Sequence, residues 1–248
     1  MIDLHSHVLP GLDDGAADLD EAVAICRAAV ADGIRVLAGT PHVRDDYPTT
    51  PEQMEAALAE LRSAVGDELR LVPGGELDLG RLERPHDELL RFALAGNPGY
   101  LLVETPYLGW PLDIGERLFA LLAAGITPVL AHPERNGEVQ QRPELLRPLV
   151  ASGVLVQLTA GAVDGTLGRR SHDSAFALLE LGFAHLIASD GHAPAIRRIG
   201  MSGAVAAVGD EELARWLTVS VPRAIVDGGT PPPRPAQARP RRRRLFGR

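Results

Sequence analysis

The chain has 248 residues, 45% of them hydrophobic and 23% charged, enough for one large core and too apolar for a disordered polypeptide. Its formal charge is −8, and all 25 basic residues are Arg. Seven of these lie beyond Asp227, where no acid occurs, so residues 1–227 carry 18 Arg against 33 acids, a balance of −15 that argues against wrapping nucleic acid.

Apolar runs of strand length alternate with segments of helical period. The strands are expected at Met1–Leu4, Arg35–Gly39, Arg70–Pro73, Tyr100–Val103, Thr127–Ala131, Val154–Leu158 and His185–Ala188. They are continuously apolar, as parallel strands buried on both faces should be. Helices are expected at Leu19–Ala31, with Asp18 as N-cap, and at Pro51–Val65, Asp113–Ala124, Pro143–Ala151 and Ser171–Leu181. Repeated βα units predict a (β/α) barrel, with an open doubly wound sheet as the alternative. From Gly228 the chain turns Pro- and Arg-rich, which predicts a tail over 228–248 after one domain over 1–227. No apolar run approaches the ~20 residues of a membrane span, and no leader pattern precedes Ile2. The expectation is a cytoplasmic protein.

The residues that follow each strand carry the chemistry. His5 and His7 follow the first, His42 the second, Glu76 the third, Glu104 the fourth and His132 the fifth, while Asp190 and His192 follow the seventh. Only the sixth, ending near Gln157, delivers no obvious ligand. Enzymes of this architecture build their sites from the carboxyl ends of many strands, so these side chains should meet at one mouth. Five of the eight histidines fall there, with three carboxylates and a nearby Asp13-Asp14 pair. Mixed imidazole and carboxylate donors suit zinc, manganese or iron. Their number calls for two or three ions, the usual machinery of phosphoryl chemistry. Arg135 and Arg197 are candidate phosphate clamps. His86, His172 and His185 lack strand-end placement, and Cys26 lies in an amphipathic helix as packing.

Met1-Ile-Asp-Leu-His-Ser-His7, Asp13-Asp-Gly15, Thr40-Pro-His42, Gly75-Glu76, Glu104, Ala131-His-Pro-Glu-Arg135 and Ser189-Asp-Gly-His192 follow one another in order. The set resembles the PHP (polymerase and histidinol phosphatase) superfamily. More narrowly, it is similar to the manganese-dependent bacterial tyrosine-protein phosphatases of capsule and exopolysaccharide synthesis. The resemblance runs from Met1 to about Asp227. It implies a distorted seven-stranded TIM-like barrel with three metal ions, manganese being expected and zinc or iron the alternatives. His5, His7, Glu76 and Asp190 would hold the first ion. Glu76, Glu104 and His132 would hold the second, with Glu76 bridging, and Asp14, His42 and His192 the third. Arg135 and Arg197 match the family's phosphate-binding arginines.

The implied substrate is phosphotyrosine in the tail of a polysaccharide-synthesis kinase. The competing readings are a small-molecule phosphatase of the histidinol-phosphate kind, a nucleic-acid phosphoesterase, and a non-catalytic metal-bound regulatory module. Arg241–Arg244 followed by Leu245-Phe246 also predicts weak association of the tail with the anionic inner face of the membrane.

Overall fold

The structure, a computed structural model, describes residues 1–193 and 198–236. Its strands are β1 Ile2–Asp3, β2 Val36–Gly39, β3 His42–Val43, β4 Arg70–Pro73, β5 Glu76–Leu77, β6 Tyr100–Glu104, β7 Thr127–Ala131, β8 Leu155–Thr159 and β9 Leu186–Ala188. They form two sheets, β1-β2-β4 and β3-β5-β6-β7-β8-β9, and every pair is parallel. β1, β2, β4, β6, β7, β8 and β9 fall on the expected runs, whereas β3 and β5 are two further short strands outside them. Thr40-Pro41 separates β2 from β3, because Pro41 has no N–H for the ladder. Gly74-Gly75 separates β4 from β5, and the Gly75 amide turns instead to the Phe92 carbonyl. Both glycines are packed too closely for a side chain: a Cβ would lie 2.8 Å from Thr40 Cγ2 at one and 2.7 Å from the Phe92 ring at the other.

The α-helices are α1 Leu19–Ala31, α2 Pro51–Val65, α3 His86–Arg91, α4 Ile114–Ala123, α5 Gly137–Gln141, α6 Arg147–Ala151, α7 Ala160–Val163, α8 Arg169–Glu180, α9 Ser202–Val208, α10 Glu211–Arg215 and α11 Val221–Val226. Local chemistry sets the ends of the first two. Asp18 accepts from the Glu21 amide at the start of α1, and Thr50 and Gln53 form a reciprocal capping box at the start of α2. The strands are buried almost throughout, and Ile2, Leu37, Leu77, Leu101, Val129, Val156 and Ile187 fill the core between helices and sheets. No helix among the described residues is long and apolar enough to cross a membrane.

The segment after Gly228 departs from the expected free tail. The Gly229 carbonyl accepts from the Tyr100 hydroxyl, the Pro232 carbonyl from the Trp216 indole at 2.9 Å, and Arg234 donates to the carbonyls of Leu179 and Ala184. Residues 229–234 thus strap across the amino ends of β6–β9. The missing signal is physical: Pro residues contribute no donor, but their carbonyls still accept. The expected Arg-rich membrane segment, Arg241–Arg244 with Leu245-Phe246, lies outside the described residues, as does Arg197.

Candidate metal centre

Because all strands are parallel, their carboxyl ends share one side of the molecule, and the candidate ligands sit there. His5 and His7 follow β1, His42 opens β3, Glu76 opens β5 and Glu104 closes β6. His132 follows β7 directly, while Asp190 and His192 follow β9. A parallel bridge between Ser6 and Gly191 carries the β1 and β9 extensions side by side, with the His7 amide donating to the Gly191 carbonyl. His132 and Asp190 have φ of +39° and +50°, a conformation that non-glycine residues seldom adopt and that the surrounding structure must enforce. Gly15 packs so closely on His7 that a Cβ would fall 1.9 Å from the His7 carbonyl oxygen. That approach lets the Asp13–Gly15 loop reach the His7 ring.

The imidazoles are held by their outward nitrogens. His5 Nδ1 donates to Gln157 Oε1 at 2.9 Å, His7 Nδ1 to Asp13 Oδ2 at 2.6 Å and His192 Nδ1 to the Asp190 carbonyl at 2.8 Å. Each Nε2 is thereby left as a lone pair facing inward, the arrangement that orients histidine ligands. His5 Nε2 and His7 Nε2 lie 3.3 Å apart. His7 Nε2 is 3.3 Å from Asp190 Oδ1, and His5 Nε2 is 3.4 Å from Glu76 Oε2. Donors about 2.1 Å from one ion take such spacings.

Glu76 lies at the middle of the cluster. Its Oε1 faces His132 Nε2 at 2.7 Å. Its Oε2 has His42 Nδ1 at 2.9 Å, His5 Nε2 at 3.4 Å and His7 Nε2 at 3.5 Å, yet is buried without a hydrogen bond. His42 Nδ1, His132 Nδ1 and Asp14 Oδ1 are likewise buried and unpartnered. A buried polar atom in that condition costs about 1–3 kcal/mol, and Glu76 Oε2 and His42 Nδ1, 2.9 Å apart among imidazoles, fit a shared cation better than a hydrogen-bond network. On the third side, Asp14 Oδ1 lies 3.6 Å from His42 Nε2 and 3.4 Å from His192 Nε2. Donor atoms within 4.8 Å of one another define four overlapping sets among the described residues. These are His7, Asp14, His42 and His192; His5, His7 and Asp190; His5, Glu76 and His132; and His42, Glu76 and Glu104. The nine predicted ligands all belong to this cluster.

The electrostatics follow from burying so many acids together. Burial and the neighbouring Glu76 charge push Glu104 up to about 7. Burial alone would raise Glu76, but the His5 and His42 imidazoles hold it well below the usual carboxylate range. Burial pushes His132 down to about 4, so its ring is neutral and fit to ligate.

Arg135 borders the cluster. Its Nη1 donates to Asp190 Oδ2 at 2.7 Å, and its guanidinium sits 4.6 Å from the centre of the Tyr107 ring. Four participants escape the strand-end rule. Asp13 orients His7, and Gln157 gives the sixth strand its contribution by orienting His5. Arg44 donates to Glu104 Oε1 at 3.0 Å, and Tyr107 stacks on His132 at 5.8 Å with planes 7° apart. Two of these left a trace in the sequence. Gln157 interrupts the otherwise apolar β8, and Arg44 lies two residues beyond His42, on the same strand face. Cys26 is buried in α1, and burial pushes its thiol up to about 12.

Residues 1–226 match the family model for capsular polysaccharide synthesis, CpsB/CapC. The chain is 33% identical to the tyrosine-protein phosphatase YwqE of Bacillus subtilis (strain 168), over 100% of this chain and 99% of that protein. It is 29% identical to the tyrosine-protein phosphatase CpsB of Streptococcus pneumoniae, over 77% of this chain and 83% of that one. A solved structure from the description of YwqE and CpsB as unique metal-dependent tyrosine phosphatases aligns with a TM-score of 0.85 and 30% identity, covering 96% of this chain and 100% of that chain. The chain belongs to the CpsB/CapC family of capsular polysaccharide synthesis.

Proposed function

We propose that this protein is a metal-dependent phosphatase that removes phosphate from tyrosine, acting on the kinase of a polysaccharide-synthesis system. The observation that carries this reading is the convergence of eight His and carboxylate side chains on a ninth, Glu76, whose Oε2 has three imidazole nitrogens within 3.5 Å and no hydrogen bond. His5, His7, Glu76 and Asp190 would hold one ion, Glu76, Glu104 and His132 a second, and Asp14, His42 and His192 a third, with manganese the expected metal. The likeness to YwqE and CpsB supports the phosphotyrosine substrate. The Ser6–Gly191 bridge supports closure of the seven strand runs into one distorted barrel over residues 1–227.

Divalent ions at such a centre lower the pKa of water and neutralise charge on a phosphoryl group. The chain's own part is positioning. Gln157 and Asp13 fix the His5 and His7 rings, so their inward nitrogens need no rearrangement when a ligand arrives. Arg135, braced on Asp190 and Tyr107, presents its remaining N–H groups to the equatorial phosphoryl oxygens, where charge builds in the transition state. Arg197 would join it. Cys26, buried and held as a thiol, takes no part as nucleophile.

A panel of phosphotyrosine peptide, histidinol phosphate and short oligonucleotide, each with manganese, tests the substrate class. The phosphotyrosine peptide should be turned over fastest, and faster hydrolysis of either other substrate would contradict the reading. The Arg-rich segment beyond Pro240 would hold the protein weakly at an anionic membrane surface, at about 1 kcal/mol per Arg near the surface. Protein ending at Pro240 should then co-sediment less with anionic vesicles than the full chain, and equal sedimentation would remove the anchor.

A further inference from the structure

The loop that leaves β6 carries more exposed apolar side chain than any packing role requires. It runs Thr105-Pro-Tyr-Leu-Gly-Trp-Pro-Leu112. Leu112 is fully exposed, Leu108 is 87% exposed and Tyr107 is 41% exposed. Its course is nevertheless fixed. Asn136 Nδ2 donates to the carbonyls of Pro106 and Gly109 at 2.6 and 2.7 Å, and the Gly137 amide donates to the Tyr107 carbonyl at 3.1 Å. Asn136 is itself buried and caps α5, accepting from the amides of Glu138 and Val139. Arg135 and Asn136 are neighbours in sequence. One clamps the phosphoryl site and the next ties down the apolar loop, so the two are held in fixed relation.

The two halves of the loop face different surroundings. Tyr107 stacks on His132 and lies under the Arg135 guanidinium at the mouth of the candidate metal centre. Three and five residues on, Trp110 and Leu112 line a groove of about 730 Å³ together with Leu145 and Leu149. Three residues of extended chain span about 10 Å at most, so the groove begins within that reach of Tyr107.

We propose that this loop reads the substrate polypeptide, the aryl ring of phosphotyrosine lying against Tyr107 and an apolar side chain flanking it entering the groove of Trp110, Leu112 and Leu145. The proposal rests on the phosphotyrosine reading above and adds to it a preference for apolar flanks. Aromatic contact suits the aryl ring, and a groove edged by exposed leucine rewards an apolar neighbour over a polar one.

The test compares kcat/KM for two phosphotyrosine peptides that differ only in the flanking residues, Leu in one and Ser in the other, with p-nitrophenyl phosphate as the reference for each protein. The parent protein should favour the Leu-flanked peptide by about tenfold, the worth of one partly buried apolar side chain. Leu112→Ser and Leu145→Ser should each cut that preference at least threefold. Leu145 lies outside the loop, so loss of preference in L145S cannot come from a distorted loop. Equal turnover of the two peptides by the parent protein would overturn the proposal and leave the phosphotyrosine reading intact. A preference that survives in both variants would also overturn it. Failure of the parent protein to hydrolyse either peptide would instead bring down the phosphotyrosine reading itself.

Discussion

The two ends of the strands are built on opposite terms. At the amino ends the polar groups are paired. The Met1 amine donates to the Gly33 carbonyl, Tyr100 and Trp216 donate to the 229–234 strap, Arg234 reaches two carbonyls, and His185 Nδ1 accepts from the Val156 amide. At the carboxyl ends, Glu76 Oε2 and His42 Nδ1, 2.9 Å apart, are buried without hydrogen bonds, and His132 and Asp190 are held at positive φ. One end satisfies its groups internally; the other keeps lone pairs aimed at a common point and relies on the first for stability. Strained and unsatisfied groups gather where function resides. The comparison predicts that substitutions at the carboxyl ends change chemistry, and those at the amino ends change stability.

The largest effect should come from Glu76→Gln. Losing the central carboxylate should lower kcat/KM on a phosphotyrosine peptide by roughly a thousandfold, the scale of several kcal/mol of lost metal assistance, and elemental analysis should show reduced metal. Parent-level turnover with unchanged metal content in E76Q would take Glu76 out of the centre.

At the opposite end, pH should expose the neutral state of His185. Burial, with the nearby Arg234 charge, pushes this imidazole down to about 4 from its ordinary 6.5. A lowered folded value means the stabilisation is present above pH 6.5 and is lost as pH falls toward 4, by as much as about 3 kcal/mol. Urea titrations of the parent and of His185→Gln, which keeps an acceptor for the Val156 amide, should diverge across that window. Parallel pH profiles would remove His185 from the account.

Arg135→Ala sharpens the comparison within the carboxyl end. It should lower kcat/KM by roughly ten- to a hundredfold, the loss of one charge-assisted phosphate contact, with metal content unchanged. A variant that loses metal as well would make Arg135 a support for Asp190 instead of a phosphate clamp. The smallest effect on catalysis belongs to the strap. Ending the chain at Asp227 should lower the urea midpoint by exposing Trp216, with kcat on a soluble phosphotyrosine peptide the same as in the full chain.

How much of this was legible in the sequence depended on the kind of residue. Strand runs were readable because parallel strands buried on both faces leave continuous apolar stretches, and His, Asp or Glu at the end of one stands out. The ends of α1 and α2 were readable from Asp18 and Pro51. Asn136 was not, because an amide is an ordinary residue until its partner, here 30 residues away, is known, and Gln157 showed only as a polar break in β8, with its partner His5 152 residues away. The strap was missed because its bonds run through backbone carbonyls, which composition does not reveal. The helices α9–α11 were also missed, since an Ala- and Val-rich stretch has little helical contrast between faces.

The central claim is that the donor cluster around Glu76 holds the ions on which phosphate release depends. Its most direct test is the rate of phosphotyrosine-peptide hydrolysis by chelator-stripped protein, with metal content measured on the same sample before and after manganese is returned. The rate should fall to background with the metal and recover with it. Full activity in protein shown to be metal-free would contradict the account.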